Sequence, residues 1–364
     1  MVTTLQRDAL DDEMRLAPRL PLTFELDAAH EAHEPPEARG VARDGVRLLV
    51  SRGAHTPEHT TFGAFPELLE PGDLVVVNTS GTVGAALDAT DEQGNPLVVH
   101  VSNELPGRLW MVEPRTRITN GSTRPSTGRA TGDLRFADGT ALQLLRPVPG
   151  SHRLWLAMVD DDTCLEDVMA RLGRPIRYSY VDRDWPLADY QTVFVTEAGS
   201  AEMPSAARPF TEATVTRLVR RGVQVAPITL HTGVSSLEGN ELPYPERFSV
   251  PDATARAVNA THAAGNHVVA VGTTVVRALE TATDAHRTTH PASGWTDTVI
   301  TPARGVRAVD GLLTGWHEPE ATHLAMLEAV SGRDPLVDAY EAAFAAGYLW
   351  HEFGDSHLLL PYIA

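Results

Sequence analysis

Gly272-Thr273-Thr274 stands where an apolar strand pattern hands over to a helical one. A turn of that kind presents unpaired backbone N–H groups beside two hydroxyls, which suits a carboxylate or a ribose. The same residues also make an ordinary helix start capped by Thr273, and the two readings weigh equally on the residues alone. Thr229-Leu230-His231 ends another apolar run. An imidazole at a strand's carboxyl end can act as general base, because it titrates near neutrality, or can be a hydrogen-bonded structural histidine. His317, between Trp316 and a proline-initiated helix, carries the same two readings. Gly354-Asp355 is either a turn or a carboxylate placed in a site.

The elements that must position these residues fall into three textures. Residues 20–78 hold a short strand over 47–51, a helix over 62–69 stopped by Pro71-Gly72, and a buried-type strand over 73–78. From about 82 to 160 the pattern is short β segments at 97–102, 109–112, 133–136, 141–145 and 154–159. Hairpin-type turn signals lie at residues 91–96 and at Ala137-Asp138-Gly139, which predicts a small antiparallel sheet or barrel. After a helix over 164–172 the chain alternates. Helices are predicted at 211–221, 252–264, 273–282, 319–330 and 334–345, with strands at 223–230, 267–271 and 306–313. Such alternation implies an α/β domain with a mostly parallel sheet, here residues 20–81 and 161–364, with residues 82–160 inserted as a β-barrel domain.

Composition narrows the chemistry. The chain has 364 residues, 42% of them hydrophobic, enough for real cores, and a net charge of −18. It contains no lysine, which excludes a Schiff-base lysine and a phosphate-loop lysine. Cys164 is the single cysteine, so an internal disulfide or cysteine-rich metal site is excluded. GxGxxG and GxSxG motifs are absent. His317 and His323 are six apart, whereas two zinc ligands on one helix face need four, and no metal is expected. The N-terminus has neither a basic start nor an apolar stretch, and the longest apolar runs fall far below the roughly 18 residues of a membrane span. A cytoplasmic protein that uses no membrane is expected. The acidic balance counts against a large nucleic-acid partner. Arg115, Arg117, Arg124 and Arg129 could still form a local basic patch.

Several motifs occur together, in order and in register. They are Pro71-Gly72-Asp73-Leu74 with Asn78, Tyr190-Gln191-Thr192-Val193, Phe210-Thr211-Glu212, Thr229-Leu230-His231 with Gly233, and Gly272-Thr273-Thr274 with Val276-Arg277-Ala278-Leu279-Glu280. Gly294-Trp295-Thr296-Asp297, Val309-Asp310-Gly311-Leu312 with His317 and Pro319, and Phe353-Gly354-Asp355 follow. From about residue 20 onward the chain thereby resembles the S-adenosylmethionine:tRNA ribosyltransferase-isomerase family. The resemblance implies S-adenosylmethionine as ribosyl donor and co-substrate, with no further cofactor. It implies the deazaguanine wobble base of tRNA as acceptor, epoxyqueuosine as product, and release of adenine and methionine. The sulfonium acidifies its neighbouring C5′ hydrogens, so the reaction needs a modest base, an acid for adenine, and a pocket that orients the methionine end. On this resemblance His231 and His317 take base or acid duties and Asp355 orients or accepts a proton. Gly272, Thr273, Thr274 and Arg277 hold the donor, with Arg277 facing its carboxylate. Tyr190, Gln191 and Glu246 border the pocket.

Some positions depart from the family pattern. Gly81 and Ala86 stand where arginines are expected, and Ala207-Arg208-Pro209 lacks a histidine. Pro243-Tyr244-Pro245-Glu246 keeps only the acid of a two-histidine motif. Gly315-Trp316-His317-Glu318-Pro319 is followed by Glu320 in place of a lysine. Losses of this kind weaken phosphate contacts. They raise two alternatives to the tRNA reaction: a divergent paralogue with a small-molecule acceptor, or a non-catalytic ligand-binding relative.

Overall fold

The structure is a computed structural model that describes residues 26–118, 122–126, 132–234, 243–319 and 321–361. Residues 20–25, Arg129 and Glu320, named above, lie outside the described residues. The chain opens with β1 (Arg47–Arg52), β2 (Glu58–Thr61), β3 (Leu74–Asn78) and the short β4 (Ser80–Thr82). The strands β5 (Ala86–Thr90), β6 (Pro96–Leu105), β7 (Leu109–Arg117), β8 (Thr123–Pro125), β9 (Gly132–Phe136), β10 (Ala141–Pro147) and β11 (Trp155–Val159) follow. Then come α1 (Leu165–Leu172), β12 (Glu197–Ser200), α2 (Glu212–Arg220), β13 (Gln224–Leu230), β14 (Glu246–Val250), α3 (Asp252–Ala263), β15 (Val268–Val271) and α4 (Thr273–Ala282). The chain ends with β16 (Ala292–Thr296), β17 (Gly311–Thr314), α5 (Thr322–Ser331), α6 (Arg333–Ala345) and β18 (Ser356–Leu360).

A nine-stranded sheet runs β16-β14-β13-β3-β15-β17-β18-β1-β2. It is mixed, not mostly parallel. The ladders β13–β3, β3–β15, β15–β17 and β18–β1 are parallel, whereas β16–β14, β14–β13, β17–β18 and β1–β2 are antiparallel. The reason is the C-terminal strand β18, which slots between β17 and β1, together with antiparallel strands at both edges. Side-chain alternation fixes the two faces. Leu74 and Val76 of β3 pack with Val268 and Ala270 of β15 against α3, α4, α5 and α6. Val75, Val77, Val269 and Val271 pack on the other face with Phe62, Phe65, Phe210 and Leu218.

The helix expected at 62–69 is a 3₁₀ segment, Phe62–Leu68, because Pro66 inside it cannot donate an α-type bond. The strand expected from 306 begins only at Gly311. The N–H groups of Arg307 and Ala308 are taken by the buried Glu280 carboxylate instead of a neighbouring strand.

Strands β5, β6, β7, β11, β10 and β9 pair antiparallel in a ring that the β11–β7 ladder closes, so this sheet is a barrel. Its interior holds Leu87, Val99, Val112, Leu134 and Leu142, and α1 covers one end through Leu165, Val168 and Met169. Two arginines of the expected basic patch, Arg115 and Arg117, pair with carboxylates of the barrel. Arg115 and Arg153 bond the fully enclosed Glu113, and Arg117 pairs with Asp88.

Candidate active site

The parallel strands β3, β13, β15 and β17 end on one side of the sheet, where an open α/β sheet binds ligands. Asn78, the last residue of β3, ties these ends together. Its amide donates to the Leu230 carbonyl at 2.8 Å and accepts from the Leu230 and Ser80 N–H groups at 3.0 and 3.1 Å. Above the ends lies a cavity of about 300 Å³, the size of a small-ligand site. The Gly272–Thr274 turn, Arg277 and Glu246 line it, with Tyr190, His317 and the residues described below.

Gly272 sits at φ 92°, a left-handed conformation open to glycine, and no side chain caps the first turn of α4. Thr273 is therefore not the cap, and the helix N-terminus faces the cavity with its partial positive charge. Arg277 lines the cavity and is anchored by protein partners. Its guanidinium is buried, is ion-paired to Glu246, and donates to the carbonyls of Thr298 and Thr296 at 3.2 and 3.1 Å. Glu246 also accepts the Gly233 N–H at 3.0 Å, while burial raises its carboxyl above the usual range. The pair forms a rigid wall of the cavity.

His317 lines the cavity, with Nε2 2.9 Å from Thr314 Oγ1 and its ring stacked on His323 at 4.7 Å. Burial, then the neighbouring His323, holds its imidazole well below the ordinary range, so it is neutral and weakly basic near pH 7. His231 is buried and does not line the cavity. Nδ1 lies 2.8 Å from Ser80 Oγ and Nε2 3.3 Å from Glu197, so the ring bridges the end of β13 to β4 and β12. Burial, then Arg247, lowers its pKa. Asp355 also lies outside the cavity lining. Its carboxylate accepts from the N–H groups of Arg47 and Leu349, both at 2.8 Å, and from the Arg47 guanidinium at 2.7 Å. Gln191 clamps the Thr82 backbone, accepting from its N–H at 3.1 Å and donating to its carbonyl at 2.8 Å. Asp355, Gln191 and His231 thus hold elements together.

Five lining residues carry no motif noted in the sequence. Tyr178 and Tyr180 stack at 5.9 Å, and Tyr180 stacks on His351 at 3.6 Å with the planes 5° apart. Tyr178 donates to Glu202, and Tyr180 donates to Glu352 at 2.5 Å. Burial pushes the Glu352 carboxyl up to about 7, and burial holds His351 at about 4. His351 has φ 74°, rare for a residue with a side chain. Gly354 allows this tight turn, since a Cβ there would lie 2.3 Å from the Leu349 carbonyl oxygen. Among the described residues no cluster of three or more His, Cys, Asp or Glu side chains could hold a metal ion, and no helix is long and apolar enough to cross a membrane.

Fold and cavity define an α/β protein with a cavity the size of a small-ligand site at the carboxyl ends of its strands. The family described as Queuosine biosynthesis protein matches residues 21–359. A Moorella thermoacetica protein named S-adenosylmethionine:tRNA ribosyltransferase-isomerase is 32% identical over 93% of this chain and 98% of its own length. A Symbiobacterium thermophilum protein of the same name is 33% identical over the same shares. The crystal structure of a Thermotoga maritima S-adenosylmethionine tRNA ribosyltransferase aligns with TM-score 0.50 and 26% identity, covering 93% of this chain and 99% of that one. The chain belongs to the queuosine biosynthesis protein family.

Proposed function

We propose that the chain transfers and isomerises the ribosyl group of S-adenosylmethionine onto the deazaguanine wobble base of tRNA, giving epoxyqueuosine and releasing adenine and methionine. The observation that carries this reading is the end-to-end match to proteins named for that reaction, barrel included. Gly272, Thr273 and Thr274 would receive the polar end of the donor at the α4 N-terminus, inside the Arg277–Glu246 wall. His317, neutral and lining the cavity, is the candidate base for C5′. His231, Gln191 and Asp355 would act by positioning. Residues 82–160 would form the inserted unit and residues 20–81 with 161–364 the catalytic one.

The small-acceptor and non-catalytic alternatives are not favoured. Relatives matched over nearly their whole length carry the transferase-isomerase name, and the departure at Gly81 has a packing cause. A Cβ there would lie 2.7 Å from Val195 Cγ1, so a side chain at position 81 would require Val195 to move. The test is adenine release from S-adenosylmethionine, with and without tRNA bearing the deazaguanine base. Release that requires this tRNA is expected, and release indifferent to it would overturn the reading.

A further inference from the structure

Four carboxylates line the cavity, those of Glu202, Glu246, Glu318 and Glu352, and they are held in different ways. Glu246 is ion-paired to Arg277, and the Glu318 side chain is 57% exposed. Glu352 is half-buried at the cavity wall, and its side-chain hydrogen bond comes from the neutral phenol of Tyr180. The turn that carries it is pinned between the left-handed His351 and the close approach at Gly354. The groups that face Glu352 are Tyr180, Tyr190, Glu202 and Arg208, with His351 beside it in the chain. The Arg208 guanidinium is committed to Glu37 and to the Asp189 carbonyl, both at 2.9 Å. Charge on Glu202 disfavours charge on Glu352, as for two carboxylates with separated roles.

We propose that Glu352 is the acid that protonates the departing adenine, with Tyr180 as its positioning residue; this rests on the function proposed above. As a base takes the C5′ proton, the pair left there forms a C4′=C5′ double bond while the C4′–O4′ bond breaks, and the O4′ pair forms C1′=O4′ as the C1′–N9 bond breaks. That bond's pair stays with adenine, which takes the Glu352 proton and leaves as the neutral base. Glu352 becomes a carboxylate stabilised by the Tyr180 hydroxyl. The lining histidines do not compete for this role near neutrality. Burial holds His323 and His351 at about 4, and His317 well below the ordinary range.

The test is single-turnover adenine release with S-adenosylmethionine and deazaguanine-bearing tRNA, from about pH 5.5 to about pH 9. The wild-type rate should fall as pH rises through the Glu352 titration. Glu352→Gln should lower the rate by about 100- to 10,000-fold, the usual worth of general acid catalysis, and abolish that alkaline limb. Tyr180→Phe removes a donor that favours the carboxylate, so its limb should move to higher pH while the acid-side rate stays within about tenfold of wild type. A structural role would lower the rate without moving the limb. Glu352→Gln protein that keeps both rate and limb would overturn the assignment to Glu352 alone. Wild-type protein that releases no adenine would overturn the proposed function, and this assignment with it.

Discussion

Glu113, fully buried in the barrel, and Glu352, half-buried at the cavity wall, are held in opposite ways. Glu113 meets the guanidinium groups of Arg115 at 2.5 Å and Arg153 at 2.9 Å, and Arg115 is itself fixed by Thr123. His100 beside them is kept neutral by burial first and then by Arg115. Glu352 meets a phenol and a repelling carboxylate. Desolvation costs both groups their charge unless something replaces water. The barrel replaces it with cations and obtains a fixed charge. The cavity, among the described residues, gives Glu352 no direct ion pair, the nearby Arg208 being committed to Glu37, and obtains a proton that can move. Burial alone therefore does not mark a catalytic acid; the missing ion pair does.

The largest effect should come from unbalancing the barrel. Arg153→Ala leaves Glu113 enclosed with half of its compensation, at a cost of about 3–5 kcal/mol. Urea unfolding measures it, while adenine release per folded molecule should stay unchanged. A loss near zero would mean that Arg115 suffices and that the contrast is weaker than drawn. Gly354→Ala should come next. The new Cβ would meet the backbone oxygens of Leu349 and Trp350 at 2.3 and 2.5 Å, which cannot yield as a flexible side chain does. A cost of about 1–3 kcal/mol is expected, with a drop in adenine release because the 351–355 turn shifts. Undiminished release from this variant would show that the pinned turn does not position Glu352. Tyr180→Phe should cost about 1 kcal/mol or less, the net worth of one hydrogen bond. A cost several times larger would make the Tyr180–Glu352 pair a structural device like the one in the barrel.

How much of this was legible beforehand followed the range of the forces. The strand at Leu74–Asn78 announced itself by a continuous apolar run, and α2 by Thr211, whose hydroxyl accepts the Thr214 N–H at 3.1 Å. The edge strand Glu58–Thr61 is largely exposed and carries no apolar signal. The Gly272–Thr274 turn and His317 were legible because a strand end and a helix start adjoin them in sequence. Tyr180 and Glu352 were not, because they are 172 residues apart and meet only through the placement of β18. His231 and Asp355 have residue types that suit catalysis, yet which way a side chain at a strand end faces is decided by partners such as Ser80 and Arg47. Local pattern cannot distinguish a group facing a cavity from one tying two strands together.

The smallest effect is the most discriminating, because its sign separates the two kinds of buried group. Glu352 titrates near 7 when folded and near 4.5 when unfolded, so the folded state holds a proton that the unfolded state has released. Its contribution to stability is fully present below about pH 4.5 and is lost as pH rises through about 7. The cavity histidines run the other way. His323 and His351 titrate at about 4 when folded and at 6.5 as the ordinary value. Their contribution is present above about 6.5 and is lost as pH falls toward 4. The two windows overlap, so the wild-type stability curve hides both. Subtraction separates them. The melting temperature of Glu352→Gln minus that of wild type should become more positive between about pH 5 and pH 8, by a few degrees at most. A difference that stays flat with pH would mean that Glu352 keeps its ordinary titration when folded, and the contrast with Glu113 would lose its electrostatic basis.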